Sequence, residues 1–244
     1  MTTGAIILLV CFCIASYFIG NIFFAIIFSK KQEKNITQMG SGNPGTMNML
    51  RNYGFKLGIV TLICDALKAG IPSLIAYFTF TPYGFGTEAL YLVGIMCIVG
   101  HMFPVTRKFK GGKGMACAFG IILVANPFWS IVCFILAFVY LYFFDYGAVA
   151  SLLFLTVMCT LEALNPPFLN TFRIFAPATS LFAHILILVL FALVMFAHRT
   201  NMVRLIVGKE GKVNLKRSLK KLGMKQTMKE KRINKKEEKK RDIG

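Results

Sequence analysis

The sequence predicts an all-α polytopic membrane protein of about seven transmembrane helices, and three observations carry that prediction. Hydrophobic residues make up 56% of the 244 in the chain, and its mean hydropathy of +0.65 exceeds what an ordinary soluble domain shows. They fall in runs close to the roughly 20 residues that a helix needs to cross a hydrocarbon core of about 30 Å. The cations, by contrast, gather in alternate gaps between those runs.

Taken in order, the expected spans are Gly4 to Phe28, Leu57 to Phe80, Glu88 to Phe103, Met115 to Ala125, Pro127 to Phe144, Gly147 to Leu164 and Pro177 to Ala197. The first has no Lys or Arg before it and outlasts the apolar core of a signal peptide, so it reads as a retained span. The fourth would rise only about 16 Å at helical pitch, which predicts a short helix buried in protein, or a re-entrant segment. With seven spans, Lys30, Lys31 and Lys34, then Arg107, Lys108, Lys110 and Lys113, then Arg199, Arg204 and the C-terminal tail share one side. Arg173 is left as the only Lys or Arg in the opposite loops. The positive-inside rule makes the crowded side cytoplasmic and puts the N-terminus outside.

The chain divides into a membrane domain, residues 1–208, and a basic cytoplasmic tail, residues 209–244, in which Lys and Arg outnumber acids 15 to 5. That tail supplies more than half of the net charge of +18. It suits an anionic lipid surface, as a flexible run or a surface-bound helix, and speaks against nucleic acid as the partner. The seven cysteines show no CxxC or His/Cys ligand spacing and read as small buried hydrophobes, with no metal implied. Among polar side chains within spans, Asp65 and Lys68 lie three apart on one helical face and read as a structural ion pair. His184 reads as a packed polar residue, and Glu162, near a span end, as one that reaches the interface.

Three stretches on the basic side could carry chemistry. Lys108 to Gly114 contains Gly111, Gly112, Lys113 and Gly114: glycines that let main-chain N–H groups approach a ligand, and a mobile cation between two of them. It lacks the spacing and the Ser/Thr of a P-loop, so phosphate binding and an ordinary flexible basic loop both remain open. Gly40 to Gly54 holds Ser41, Gly42, Asn43 and Asn48 in a glycine-rich bend, with Arg51 available for a bidentate anion contact. After Pro44 the spacing of Met47, Leu50 and Arg51 suggests a short amphipathic helix; a plain surface loop is the other reading. His198 to Glu210 follows the last span and places Arg204 three residues after Asn201, within reach of a shared ligand or of the membrane interface.

Together these stretches resemble the bacterial integral-membrane acyl-phosphate:glycerol-3-phosphate acyltransferases. The likeness covers most of the chain and rests on three motifs in the family's order. The first is Ser41 to Gly45 with Asn48 and Arg51. The second is Gly100-His101, Phe103-Pro104 and Phe109 to Gly114. The third is His198, Asn201, Arg204-Leu205, Gly208 and Glu210; Asp65 and Lys68 look like the family's DxxK pair. The resemblance implies a seven-helix enzyme of the bacterial cell membrane that acts without a cofactor. It would move a fatty acyl group from acyl phosphate to the 1-hydroxyl of glycerol 3-phosphate, giving lysophosphatidic acid and phosphate, the first step of phospholipid synthesis. On this carry-over Ser41, Arg51, Lys113 and Asn201 contact phosphate, and His101 and Glu210 shape or orient the site. The glycine loops supply backbone donors, and His198 and Arg204 assist.

The chain departs from the family pattern at Thr46-Met47, at Thr106-Arg107 and at Met115 to Cys117. The larger departure is at Asp145 to Ala148, where an Arg-Tyr-Val-Ser pattern would place a cation and a phosphate-binding serine. A catalytically weakened member, a non-catalytic scaffold or a transporter for an organic anion therefore stand as alternatives. The motif loops offer cations and amides but no Ser-His-Asp set. That suggests substrate-assisted catalysis, with the acceptor's own phosphate, second pKa near 6, taking the hydroxyl proton; His101 as general base is the competing idea.

Overall fold

The computed structural model describes residues 1–172, 174–177 and 179–224. Arg173 and the tail beyond residue 224 lie outside the described residues. Among these every regular element is helical. In order they are α1 (Thr3–Gly20), α2 (Phe24–Lys30), α3 (Thr46–Tyr53), α4 (Phe55–Phe80), α5 (Gly86–Met102), α6 (Met115–Ala125), α7 (Pro127–Phe144), α8 (Gly147–Leu164), α9 (Leu181–Ala197) and α10 (Arg199–Ile206). A further helical stretch occupies 215–224.

Five segments are long and apolar enough to cross a membrane, and α9 with α10, bent by 54°, would make a sixth. That count falls short of seven because α6 has only 11 residues. Its brevity has a local cause. Gly114, at φ 73°, starts it, and Asn126 ends it one residue before Pro127 opens α7, a first-turn position that suits proline. The short helix is lined by protein: Cys117, Ala118 and Ile121 are buried, and α6 packs against α4, α5 and α7.

Membrane helices gain little from burying one apolar surface on another, so close approach through small residues must hold them together. A Cβ at Gly120 of α6 would collide with the Ala66 carbonyl of α4, and one at Gly100 of α5 with the Tyr17 carbonyl of α1. The pattern on α4 follows from the same solvent. Ile63, Leu67, Ile71 and Ile75, four apart, form an exposed apolar stripe, while Thr61, Asp65, Ala69 and Ser73 are buried on the opposite face.

Buried charge is paired across elements. Lys68 Nζ lies 2.8 Å from Asp65 Oδ1, and also reaches the Ile22 carbonyl at 2.6 Å and His101 Nδ1 at 2.9 Å. The pair thus ties α4 to the break between α1 and α2 and to the end of α5. Glu162 differs from its sequence expectation. It is buried rather than interfacial, accepting from Tyr91 Oη at 3.1 Å and Asn126 Nδ2 at 3.0 Å, because Asn126 is itself buried in the tight α6–α7 turn. His184 is held by main-chain carbonyls, with Nδ1 2.7 Å from the Ser180 oxygen and Nε2 3.1 Å from that of Ala163.

Candidate active site

The loop before α3 is organised by Asn48. Its amide donates to the carbonyls of Met39 at 2.9 Å, Asn43 at 3.1 Å and Ile36 at 3.3 Å. Its Oδ1 accepts from Asn52 Nδ2 at 2.9 Å and from the Ser41 N–H at 3.3 Å. Gly40 and Gly42 turn the chain at φ 55° and 69°, which only residues without a Cβ adopt freely. The sequence reading assigned Asn48 and Gly42 to substrate phosphate. Asn48 does border the cavity, but its amide donors are spent on loop carbonyls, and Gly42 lies outside the cavity lining. What the loop presents is Ser41, exposed and lining the cavity, with Asn43 beside it.

The glycine loop before α6 is fitted to His101 in the same way. The Gly112 N–H donates to the His101 carbonyl at 2.9 Å. A Cβ at Gly111 would strike that carbonyl, and one at Gly112 would strike the imidazole Nε2. Neither glycine lines the cavity, so their expected role as phosphate donors gives way to close packing on His101; Lys113 and Gly114 do line it. Since the Lys68 ammonium can only donate, His101 Nδ1 is the acceptor, and the neutral ring carries its proton on Nε2.

Behind α9 the bend at His198 turns α10 across the mouth of the cavity. The buried His198 bonds the Val194 carbonyl through Nδ1 at 2.8 Å. On α10 the Asn201 amide donates to Glu210 Oε1 at 2.7 Å, and Arg204 Nε to Glu210 Oε2 at 2.9 Å. Lys113 Nζ donates to Asn201 Oδ1. A chain of contacts therefore runs from Lys113 through Asn201 and Glu210 to Arg204. Burial, joined by the nearby Arg204 and Arg51 guanidiniums and partly offset by Glu210, lowers the Lys113 pKa to about 8. From α3, Arg51 completes the cationic rim, donating to the carbonyls of Gly211 at 2.8 Å and Lys212 at 3.0 Å.

These groups open onto one cavity of about 350 Å³. Its mouth carries Ser41, Arg51, Lys113, Asn201, Arg204 and Glu210, and its depth is apolar, lined by Leu62, Phe119, Phe134, Phe138, Leu141 and Phe154. Asp65, His101 and His198 reach the same space. Ala148, where the sequence comparison missed a serine, lines it as well, but so does Ser151, one helical turn on. The sequence reading passed over Ser151, although its i+3 spacing from Ala148 puts it on the same face of α8. The segment from residue 209, expected as a basic tail, contributes to the site as far as 213: Lys209, Glu210, Gly211 and Val213 line the cavity, and Leu215 is buried beyond it.

A helical membrane protein whose basic loops close over a cavity with a cationic mouth and an apolar interior is built to hold an amphiphilic anion. The chain belongs to the glycerol-3-phosphate acyltransferase family, which matches residues 10–208. A glycerol-3-phosphate acyltransferase of Neisseria meningitidis serogroup C is 37% identical over 203 residues, 83% of this chain and 96% of the relative. One from Mycoplasmopsis pulmonis is 34% identical over 211 residues, covering 82% and 90% of the two chains. The crystal structure of an integral membrane glycerol 3-phosphate acyltransferase, PlsY, in its glycerol 3-phosphate form superposes with a TM-score of 0.70 at 28% identity, over 84% of this chain and 94% of that one. Its lysophosphatidic acid form matches with a TM-score of 0.69.

Proposed function

We propose that the chain transfers a fatty acyl group from acyl phosphate to the 1-hydroxyl of glycerol 3-phosphate, releasing phosphate and lysophosphatidic acid. The observation that carries this reading is the two-ended cavity: cations from three separate segments, α3, the loop before α6 and α10, at the mouth, and phenylalanines at a depth suited to an acyl chain. Family membership supports the acceptor, and the substrate chemistry supports the donor. An acyl phosphate is already a mixed anhydride, so no nucleophilic side chain is needed. The acceptor's 1-hydroxyl oxygen attacks the carbonyl carbon, the new C–O ester bond forms, and the C–O bond to phosphate breaks. The hydroxyl proton passes to the acceptor's own phosphate.

Within that scheme Arg51, Lys113 and Arg204 neutralise the two phosphates and hold the reactants together, and Ser41 and Asn201 orient them. Glu210 aims Asn201 and Arg204. His101 and Asn48 hold the loops in place, with the His101 proton on Nε2 disfavouring a general-base role. The seven-span topology extends this reading: α6 serves as a short, protein-lined crossing, the N-terminus lies outside, and the motif loops face the cytoplasm. The enzyme then sits in the bacterial cytoplasmic membrane, and the basic tail lies against anionic lipid.

Purified chain incubated with palmitoyl phosphate and glycerol 3-phosphate should give lysophosphatidic acid by mass spectrometry, with palmitoyl-CoA a poor donor. No product, or product from the thioester alone, sinks the proposal. Uptake of glycerol 3-phosphate into vesicles without product would favour the transporter reading.

A further inference from the structure

Arg51 is not free at the cavity mouth. Its Nε and Nη2 are fixed on the carbonyls of Lys212 and Gly211, beyond residue 208 where the family match ends. These carbonyls are themselves held. Asp145, at the end of α7 with φ 65°, accepts the Leu215 N–H on its Oδ1 at 2.9 Å, and its main-chain oxygen accepts the Val213 N–H at 2.9 Å. Asn214, at φ 59°, turns the chain between those two contacts, a conformation that asparagine tolerates. Val213 and Leu215 are then driven into a cluster with Leu50, Leu141 and Ala150, and the 215–224 helix follows. The face of Gly211 lies against the guanidinium, 3.4–3.5 Å from where its Cβ would be.

We infer that residues 211–215 form a strap that pre-orients Arg51 for the substrate phosphate, and that Asp145 is the positioning residue that latches it. Arginine is long and rich in rotamers, and ordering it at the moment of binding costs affinity. Two donors held in advance remove that cost while Nη1 and the outward hydrogen of Nη2 stay available to an anion. The charge that departs from the family pattern at position 145 thereby has a use: a carboxylate accepts where a cation could not. The kinetic part of the inference rests on the acyl-transfer reading, and the binding part does not.

The test is Asp145→Ala in the full chain, with Asp145→Asn, which keeps an amide oxygen for the Leu215 N–H, as the rescue. Freezing out one rotamer-rich side chain corresponds to about three- to tenfold in affinity. Asp145→Ala should therefore raise both the KM for glycerol 3-phosphate and the Kd by calorimetry by that factor, with kcat within twofold, and Asp145→Asn should recover most of it. Inorganic phosphate should weaken in parallel. A merely structural defect lowers kcat with the active fraction and leaves Kd unchanged. If Asp145→Ala does not fold, Val213→Ala loosens the strap from its apolar side and should give the same Kd shift. Unchanged or tighter Kd in the folded variants overturns the strap alone. Wild-type chain that binds glycerol 3-phosphate but forms no lysophosphatidic acid overturns the acyl-transfer reading alone, while one that binds neither ligand overturns both.

Discussion

Lys113 offers the sharpest test of the proposed site, because its lowered pKa sets a pH at which the mouth loses a cation. With the free-enzyme value at about 8, about nine-tenths of the lysine is charged at pH 7 and about one-tenth at pH 9. A bound dianionic phosphate favours the ammonium and raises its pKa. Binding is therefore near full strength below about pH 7 and weakens as pH rises through 8, by about fifteenfold between pH 8 and pH 9.5, because the neutral amine must first take up a proton. Glycerol 3-phosphate is itself dianionic above about pH 7, so its own titration does not contribute to that limb. Calorimetric Kd values for glycerol 3-phosphate from pH 6.5 to 9.5 measure the effect directly. In Lys113→Arg the cation no longer titrates in this range, and the alkaline weakening should vanish even if affinity at pH 7 is lower. A wild-type Kd flat from pH 7 to 9.5, or a parallel rise in both proteins, would refute the assignment of Lys113 to phosphate.

Three further outcomes follow from the packing around the site. His101→Gln should reduce kcat less than tenfold in steady-state assays, since Lys68 occupies the Nδ1 lone pair and Nε2 already carries the ring proton; loss of a true general base would cost about 10²–10⁴. Asn48→Ala leaves the Met39 and Asn43 carbonyls without their donor and should lower stability by about 1–3 kcal/mol, read as a lower thermal midpoint in detergent. Gly120→Val forces a side chain toward the Ala66 carbonyl and should cost about 1–3 kcal/mol through overpacking, whereas a substitution on the lipid-facing stripe, Ile71→Leu, should leave the midpoint unchanged.

The site was legible in the sequence to the extent that its chemistry depends on residue type. Arg51, Lys113, Asn201 and Glu210 stood out as cations and short polar groups in loops between apolar runs, and all four meet at the cavity mouth. Gly111 and Gly112 were misassigned because a glycine signals close approach without saying to what; here it is the His101 carbonyl and ring. Asn48 borders the cavity with its amide donors spent on main chain, and the sequence could not show this, since an amide that binds main chain and one that binds phosphate are the same residue in a sequence. The use of Asp145 was hidden because its partner is distant in the chain: Asp145 meets Leu215 across 70 positions.

What the sequence determined by itself is the solvent of each segment and the sign of each loop. Runs of about 20 apolar residues must be helical in a bilayer that cannot satisfy backbone hydrogen bonds, and clustered cations mark the face where anions bind. Only the tertiary structure decided which polar groups are consumed by the fold and which remain for a ligand. A hydrogen bond uses up its donor, and whether Asn48, Gly112 or Arg51 has donors to spare depends on carbonyls brought to it by folding.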